Sequence, residues 1–111
     1  MPDGSLQLST KSLPAGGTVV SVAGELDLAT VAAFEAELAT LVRHDRVIVD
    51  LTDCTFLDSS ALRALVVAHR AATEEGGTFS LAAPTPAIRR VLEVASIDRV
   101  IAVADAVDAE T

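Results

Sequence analysis

The stretch RVIVDLTDCTFLDSSALRALVVAHR, residues 46–70, decides how the rest of the chain is read. It opens on a continuous aliphatic run, RVIVDL, the pattern of a short strand buried on both faces of a sheet. It closes in an amphipathic helix over residues 59–75, with Leu62, Leu65, Val66 and His69 on one face and Gly76-Gly77 as the stop. TDCTFLD between them reads as a loop, and two adjacent serines stand where that loop becomes the helix. A buried strand followed by an amphipathic helix is half of a strand–helix–strand crossover, which points to an α/β fold with parallel strands.

The flanks repeat the same alternation. Upstream, SLQLS and TVVSVAG are joined by PAGG, the signal of a hairpin with a glycine-rich turn. GELDLAT follows as a loop. Residues 30–43 then place Val31, Phe34, Leu38, Leu41 and Val42 at helical spacing, with Glu35 and Glu37 off that stripe. Downstream, TFSLAAP reads as a third core strand. TPAIRRVLEVAS reads as a helix, with Thr85 as N-cap, Pro86 at its first position and Ile88, Val91, Leu92 and Ala95 as its stripe. RVIAV reads as the last strand, and ADAVDAET allows at most a short terminal helix. The order is β-β-α-β-α-β-α-β, a mixed, mostly parallel sheet with an N-terminal hairpin and helices packed on it, expected as one domain over residues 1–111. The loops that leave the carboxyl ends of parallel strands gather on one edge, where function concentrates. That edge is expected to bring together Asp27, Asp53, Asp58, Ser59, Ser60 and Thr85.

Composition removes several classes of function. The chain has 111 residues, half of them hydrophobic, with three Phe and neither Trp nor Tyr. Such a core is aliphatic, and a stacking platform for single-stranded nucleic acid has almost nothing to build with. The net charge of −8 also opposes a phosphate backbone and favours a protein partner with a basic patch. One cysteine, Cys54, excludes an internal disulfide and a multi-cysteine zinc site. The opening MPDGSLQLSTK has no apolar segment of the signal-peptide kind. No run reaches the roughly 18 apolar residues of a membrane span. The expectation is a cytoplasmic protein that binds neither membrane nor nucleic acid.

Three readings of the serines compete. In the first, Asp58 is an N-cap whose carboxylate accepts from the backbone N–H groups of Ser60 and Ala61, and the serines are filler. In the second, a serine is a nucleophile. That requires an oriented base, but His69 lies more than two turns along the same helix and His44 at the opposite edge of the sheet. In the third, Ser59 or Ser60 accepts a phosphate from a separate kinase. A phosphate at the first turn meets unpaired N–H groups and the positive end of the helix dipole. Arg63, four residues after Ser59 and three after Ser60, is in reach of either. The added charge falls beside Asp27, Asp53 and Asp58, which turns a docking surface off without any enzyme chemistry from this chain. A phosphoryl-accepting aspartate is a weaker idea: it needs a metal-holding acidic pair after the first strand and a distal lysine, whereas the one lysine here is Lys11.

VIVDLTDCTFLDSSALRALVVAHR resembles the signature of the STAS domain, in particular of bacterial anti-sigma factor antagonists. VAGELDLATVAAFEAEL resembles that family's second strand, acidic loop and first helix, and TFSLAAPTPAIRRVLEVASIDRVIAV its later segment. The resemblance spans about residues 5–105 in matching order. It implies a STAS fold and a partner-switching regulator, not an enzyme, that needs no cofactor and is monomeric when free. The unmodified form would bind an anti-sigma factor that is also a serine kinase of the GHKL type, releasing the sigma factor. Phosphorylation would end that binding, and a serine phosphatase would reset it. The family's D-S-S-G pattern puts the phosphate on Ser60, with Ser59 as fallback, and the partner-binding surface at Asp27, Asp58, Ser59, Ser60, Ala61 and Arg63. Ala61 stands where the family has Gly, and Ser96 ends a helix where Gly is common. The alternatives are a STAS subunit of a transporter or multiprotein sensor with structural serines, a small-nucleotide-binding domain, and a serine hydrolase.

Overall fold

The computed structural model describes residues 6–41 and 45–107. Val42 and Arg43 at the expected end of the first helix, His44, and the last four residues of the expected terminal helix lie outside them. Strands β1 (Leu6–Ser12) and β2 (Thr18–Leu26) form the expected antiparallel hairpin. Gly17 closes its turn at φ +106°, where an added Cβ would come within 2.6 Å of the Arg46 carbonyl oxygen. Only glycine fits that close approach. Helix α1 (Val31–Ala39) leads to β3 (Arg46–Leu57), α2 (Ser59–Glu74), β4 (Thr78–Ala82), α3 (Pro86–Val94), a 3-10 turn (Ile97–Arg99) and β5 (Val103–Ala104).

The sheet order is β1-β2-β3-β4-β5, with every pair after the hairpin parallel. Each crossover steps to the next strand in the same direction. Right-handed crossovers therefore stack all three helices on one face. Alternation along the strands supplies the inner wall: Val20 and Val22, Val47 and Val49, and Phe79 and Leu81 are buried with Phe34, Leu38, Leu65, Ile88 and Leu92 of the helices. Ile48, Val19 and Ala82 point to the opposite face, covered by Leu13 of the hairpin turn and Val107. The run around Val47–Val49 is thus buried on both sides, as its unbroken aliphatic pattern requires.

Four expectations need correction. The segment TDCTFLD is strand, not loop, because β3 continues to Leu57 against an equally extended β2. Two register shifts each insert an extra residue on β3, between Asp50 and Asp53 and between Cys54 and Phe56. Leu51, Cys54 and Leu57 are consequently buried at a spacing of three, where a regular strand would give two. Helix α2 turns Ala61, Ala64, Leu65, Ala68 and Ala72 inward, while Leu62, Val66 and His69 are only half-buried at its flanks. Alanine lets this helix sit close on the sheet, which a stripe of larger side chains would prevent. Helix α1 stops at Ala39. Finally, RVIAV is not a strand throughout: Ile97 and Ile101 are buried one turn apart, with the Ile101 N–H donating to the Ile97 carbonyl at 2.8 Å, and only Val103 and Ala104 pair with β4.

Among the described residues, no helix is long and apolar enough to cross a membrane.

Candidate functional site

Residues 51–57 of β3 project past β4, whose last pairing is Asp50 with Ala82, and pair there with β2 alone. Asp58 ends that projection. Its N–H donates to the Leu26 carbonyl at 3.3 Å, so the start of α2 is tied to the end of β2. The Asp58 backbone is extended (φ −109°, ψ −174°), and its side chain folds over the first turn of α2.

One carboxylate does four things there. Asp58 Oδ1 accepts from the Ser60 N–H at 3.0 Å, from the Ala61 N–H at 3.1 Å and from the Ser60 hydroxyl at 2.6 Å. Its other oxygen, Oδ2, accepts from the Leu28 N–H at 3.1 Å, across thirty residues of sequence. The Ser60 hydroxyl is the main reason the carboxyl is held below its ordinary pKa, with the Ala61, Leu28 and Ser60 N–H groups acting in the same direction against partial desolvation. Hydrogen bonds donated to a carboxylate favour its charged form. The capping role expected of Asp58 is therefore its observed geometry.

Ser60 is half-buried and Ser59 exposed. Both line a cleft of ≈ 610 Å³ between the first turns of α2 and helix α1, with Arg63, Val31, Glu35 and Val67. Arg63 is exposed on this cleft and forms no ion pair among the described residues. Ala61, by contrast, is fully buried. Asp27 organises its own loop: its Oδ1 accepts from the Ala29 N–H at 3.0 Å, and its carbonyl accepts from the N–H groups of Thr30 and Val31. Thr30 completes the loop by donating its hydroxyl to the Glu25 carbonyl at 2.9 Å.

The structure brings Asp58, Ser59, Ser60 and Arg63 onto one turn and its cleft, and joins the Asp27 loop to them through Leu28; Ala61, expected on the partner-binding surface, instead packs its side chain into the core. The structure does not bring Asp53 or Thr85 to that turn. Asp53 sits inside β3 opposite Ala23. Thr85 caps α3 by accepting from the Ile88 N–H at 3.2 Å, directly after the strand that stops level with Asp50. Among the described residues, no three His, Cys, Asp or Glu side chains converge to hold a metal ion. Cys54 is fully buried, and burial pushes its thiol above the ordinary value, which makes it a poor nucleophile.

Leu28, Val31, Glu35 and Val67 were not singled out as site residues from sequence. Leu28 carried one signal: it is an aliphatic residue in a polar loop, off the stripe of the helix that follows. In the structure it is 78% exposed, the most exposed of the large hydrophobic side chains described.

This architecture is that of a STAS domain. The sequence model of the family described as "Mlab, STAS domain" matches residues 9–103, and the chain belongs to that family. A Thermotoga neapolitana protein named as an anti-sigma factor antagonist homologue is 27% identical over 64 residues, a match that spans 58% of this chain and only 57% of that relative's length. The crystal structure of an anti-sigma factor antagonist from Mycobacterium paratuberculosis superposes with a TM-score of 0.83 at 26% identity, covering 96% of this chain and 92% of that one. The Bacillus cell fate determinant SpoIIAA, in its phosphorylated form, shares the fold with a TM-score of 0.66 at 20% identity, covering 88% of this chain and 91% of that one.

Proposed function

We propose that this chain is an anti-sigma factor antagonist that acts by switching partners. The unmodified form binds an anti-sigma factor that is also a serine kinase of the GHKL type, and so frees a sigma factor. Transfer of phosphate to Ser60 ends that binding, and a serine phosphatase restores it. The cytoplasm is the compartment that this role requires.

The carrying observation is the placement of Ser60. Its hydroxyl opens on the cleft at the first turn of α2, is fixed by Asp58 at 2.6 Å, and has Arg63 on the same cleft. A phosphate added there lies at the positive end of the helix dipole, beside a guanidinium. It does not need to enter the core. The relatives named as anti-sigma factor antagonists support the partner class, and SpoIIAA supports phosphate as a modification this fold carries.

Incubation with the cognate kinase and ATP, followed by intact-mass and peptide mass spectrometry, tests the reading. The expected result is one phosphate per chain on Ser60, absent from Ser60→Ala. If neither serine is modified, the chain instead acts as a STAS subunit of a larger complex with structural serines.

A further inference from the structure

We propose that Asp58 relays the modification of Ser60 to the β2–α1 loop, so that phosphate at Ser60 releases the backbone of Leu28 and withdraws its exposed side chain from the docking surface. This rests on the reading of Ser60 as the phosphate acceptor and adds a second place where the modification acts.

The two oxygens of Asp58 face different partners. Oδ1 is committed to Ser60 and Ala61, and Oδ2 to Leu28, the residue after Asp27. Phosphoryl transfer from ATP forms an Oγ–P bond, breaks the bond between the γ-phosphorus and its bridging oxygen, expels ADP and releases the Ser60 hydroxyl proton. The ester oxygen that remains has no hydrogen to donate. An accepting contact of 2.6 Å thereby becomes one between two electron-rich oxygens. The new dianion also competes with the carboxylate for the N–H groups of Ser60 and Ala61, the donors that hold Asp58 in place. Two anions do not share one pair of N–H donors, so the carboxylate swings away and its bond to Leu28 is lost.

Leu28 makes this consequential. Its side chain is 78% exposed on a loop otherwise held internally by Asp27 and Thr30. An exposed leucine beside the modifiable serine is a contact for an apolar pocket on a protein partner. Its N–H bond to Asp58 is the tie that links this side chain's backbone to the start of α2.

The test uses the whole chain, labelled with ¹⁵N and carrying phosphoserine at position 60 installed by semisynthesis, so that no kinase is needed. The Leu28 amide is expected to shift upfield and to exchange with solvent about tenfold faster, as loss of a charge-assisted hydrogen bond implies. Amides of Val49 and Leu65 are expected to stay unchanged. In the unmodified chain, Asp58→Asn keeps one acceptor oxygen for the helix cap but cannot serve both sides, and is expected to reproduce the Leu28 change. If the Leu28 amide is unmoved by phosphoserine in both shift and exchange, Asp58 keeps its bonds with the phosphate in place and the relay does not exist. That outcome leaves Ser60 as the kinase target untouched. Failure of the kinase to modify Ser60 would overturn the switching role instead.

Discussion

Ser60 donates its hydroxyl to Asp58 Oδ1 over 2.6 Å, and the same oxygen accepts the N–H of Ser60 itself at 3.0 Å. The residue proposed to be modified is therefore held by the residue that starts its helix. The hydroxyl is oriented in advance, and the capping carboxylate depends on it for its electrostatic environment. The helix cap and the proposed switch meet in one pair of side chains two residues apart.

Replacing Asp58 by Ala should destabilise the protein by about 1–2 kcal/mol, the usual loss when an N-cap acceptor is removed. The Leu28 tie goes with it, which puts the expectation at the upper end. Urea titration is expected to show a lower midpoint with an unchanged slope, since the surface exposed on unfolding is the same. Asp58→Asn should lose less, because one acceptor oxygen remains for the helix.

Asp58 also predicts a dependence on pH. Its carboxyl lies below its ordinary pKa in the folded chain, chiefly through the Ser60 hydroxyl. A group with a depressed folded value contributes stability that is fully present above its unfolded pKa, about 4 for aspartate. That contribution is lost as pH falls from there through the folded value. Titration of the Asp58 carboxyl carbon by NMR is expected to show a midpoint below that of an ordinary aspartate. In Ser60→Ala the midpoint should move up, because the largest stabilising contact is gone. An unchanged midpoint would mean that the backbone N–H groups, not the hydroxyl, set the value.

Ser60→Asp should weaken binding to the unmodified anti-sigma partner while leaving Tm nearly the same. The side chain is half-buried on an open cleft, and an acidic residue in the first turn suits the helix dipole. Isothermal titration of partner binding and a thermal melt of the same variant separate the two effects. A large drop in Tm would identify Ser60 as a packing residue.

How much of this was legible in the sequence varied with how local the chemistry was. Asp58 over Ser60 and Ala61, and Thr85 with Pro86, are capping patterns contained within four residues, and both are found as read. The hairpin, the strand–helix order and the mixed sheet follow from periodicity in the same way. The length of β3 was hidden because its two bulges spread Leu51, Cys54 and Leu57 to every third position, which matches neither strand nor helix. The inner face of α2 was hidden by its alanines, which hydrophobic patterning ranks below the flanking Leu62 and Val66 although close approach to the sheet favours them. Ile101 was read within the strand RVIAV, although its spacing of four from Ile97 fits one helical turn. The bond from Leu28 to Asp58 joins segments far apart in sequence, and no local pattern encodes it.

Ser96 offers a stability test away from the site. It follows the C-cap of α3 and adopts φ +61°, in the left-handed region. Its N–H donates to the Glu93 carbonyl at 3.0 Å, closing the end of the helix. Glycine is the residue most often found there, because a Cβ is strained by this backbone. Its greater freedom in the unfolded chain partly offsets that relief. Ser96→Gly should accordingly stabilise the protein by up to about 1 kcal/mol, read as a higher urea midpoint at constant slope. The side chain is exposed, so no packing is lost to confuse the result. Ser96→Val, which places a branched side chain on the same backbone, should shift the midpoint the other way. If both substitutions left it unmoved, the left-handed turn after α3 would not be a source of strain.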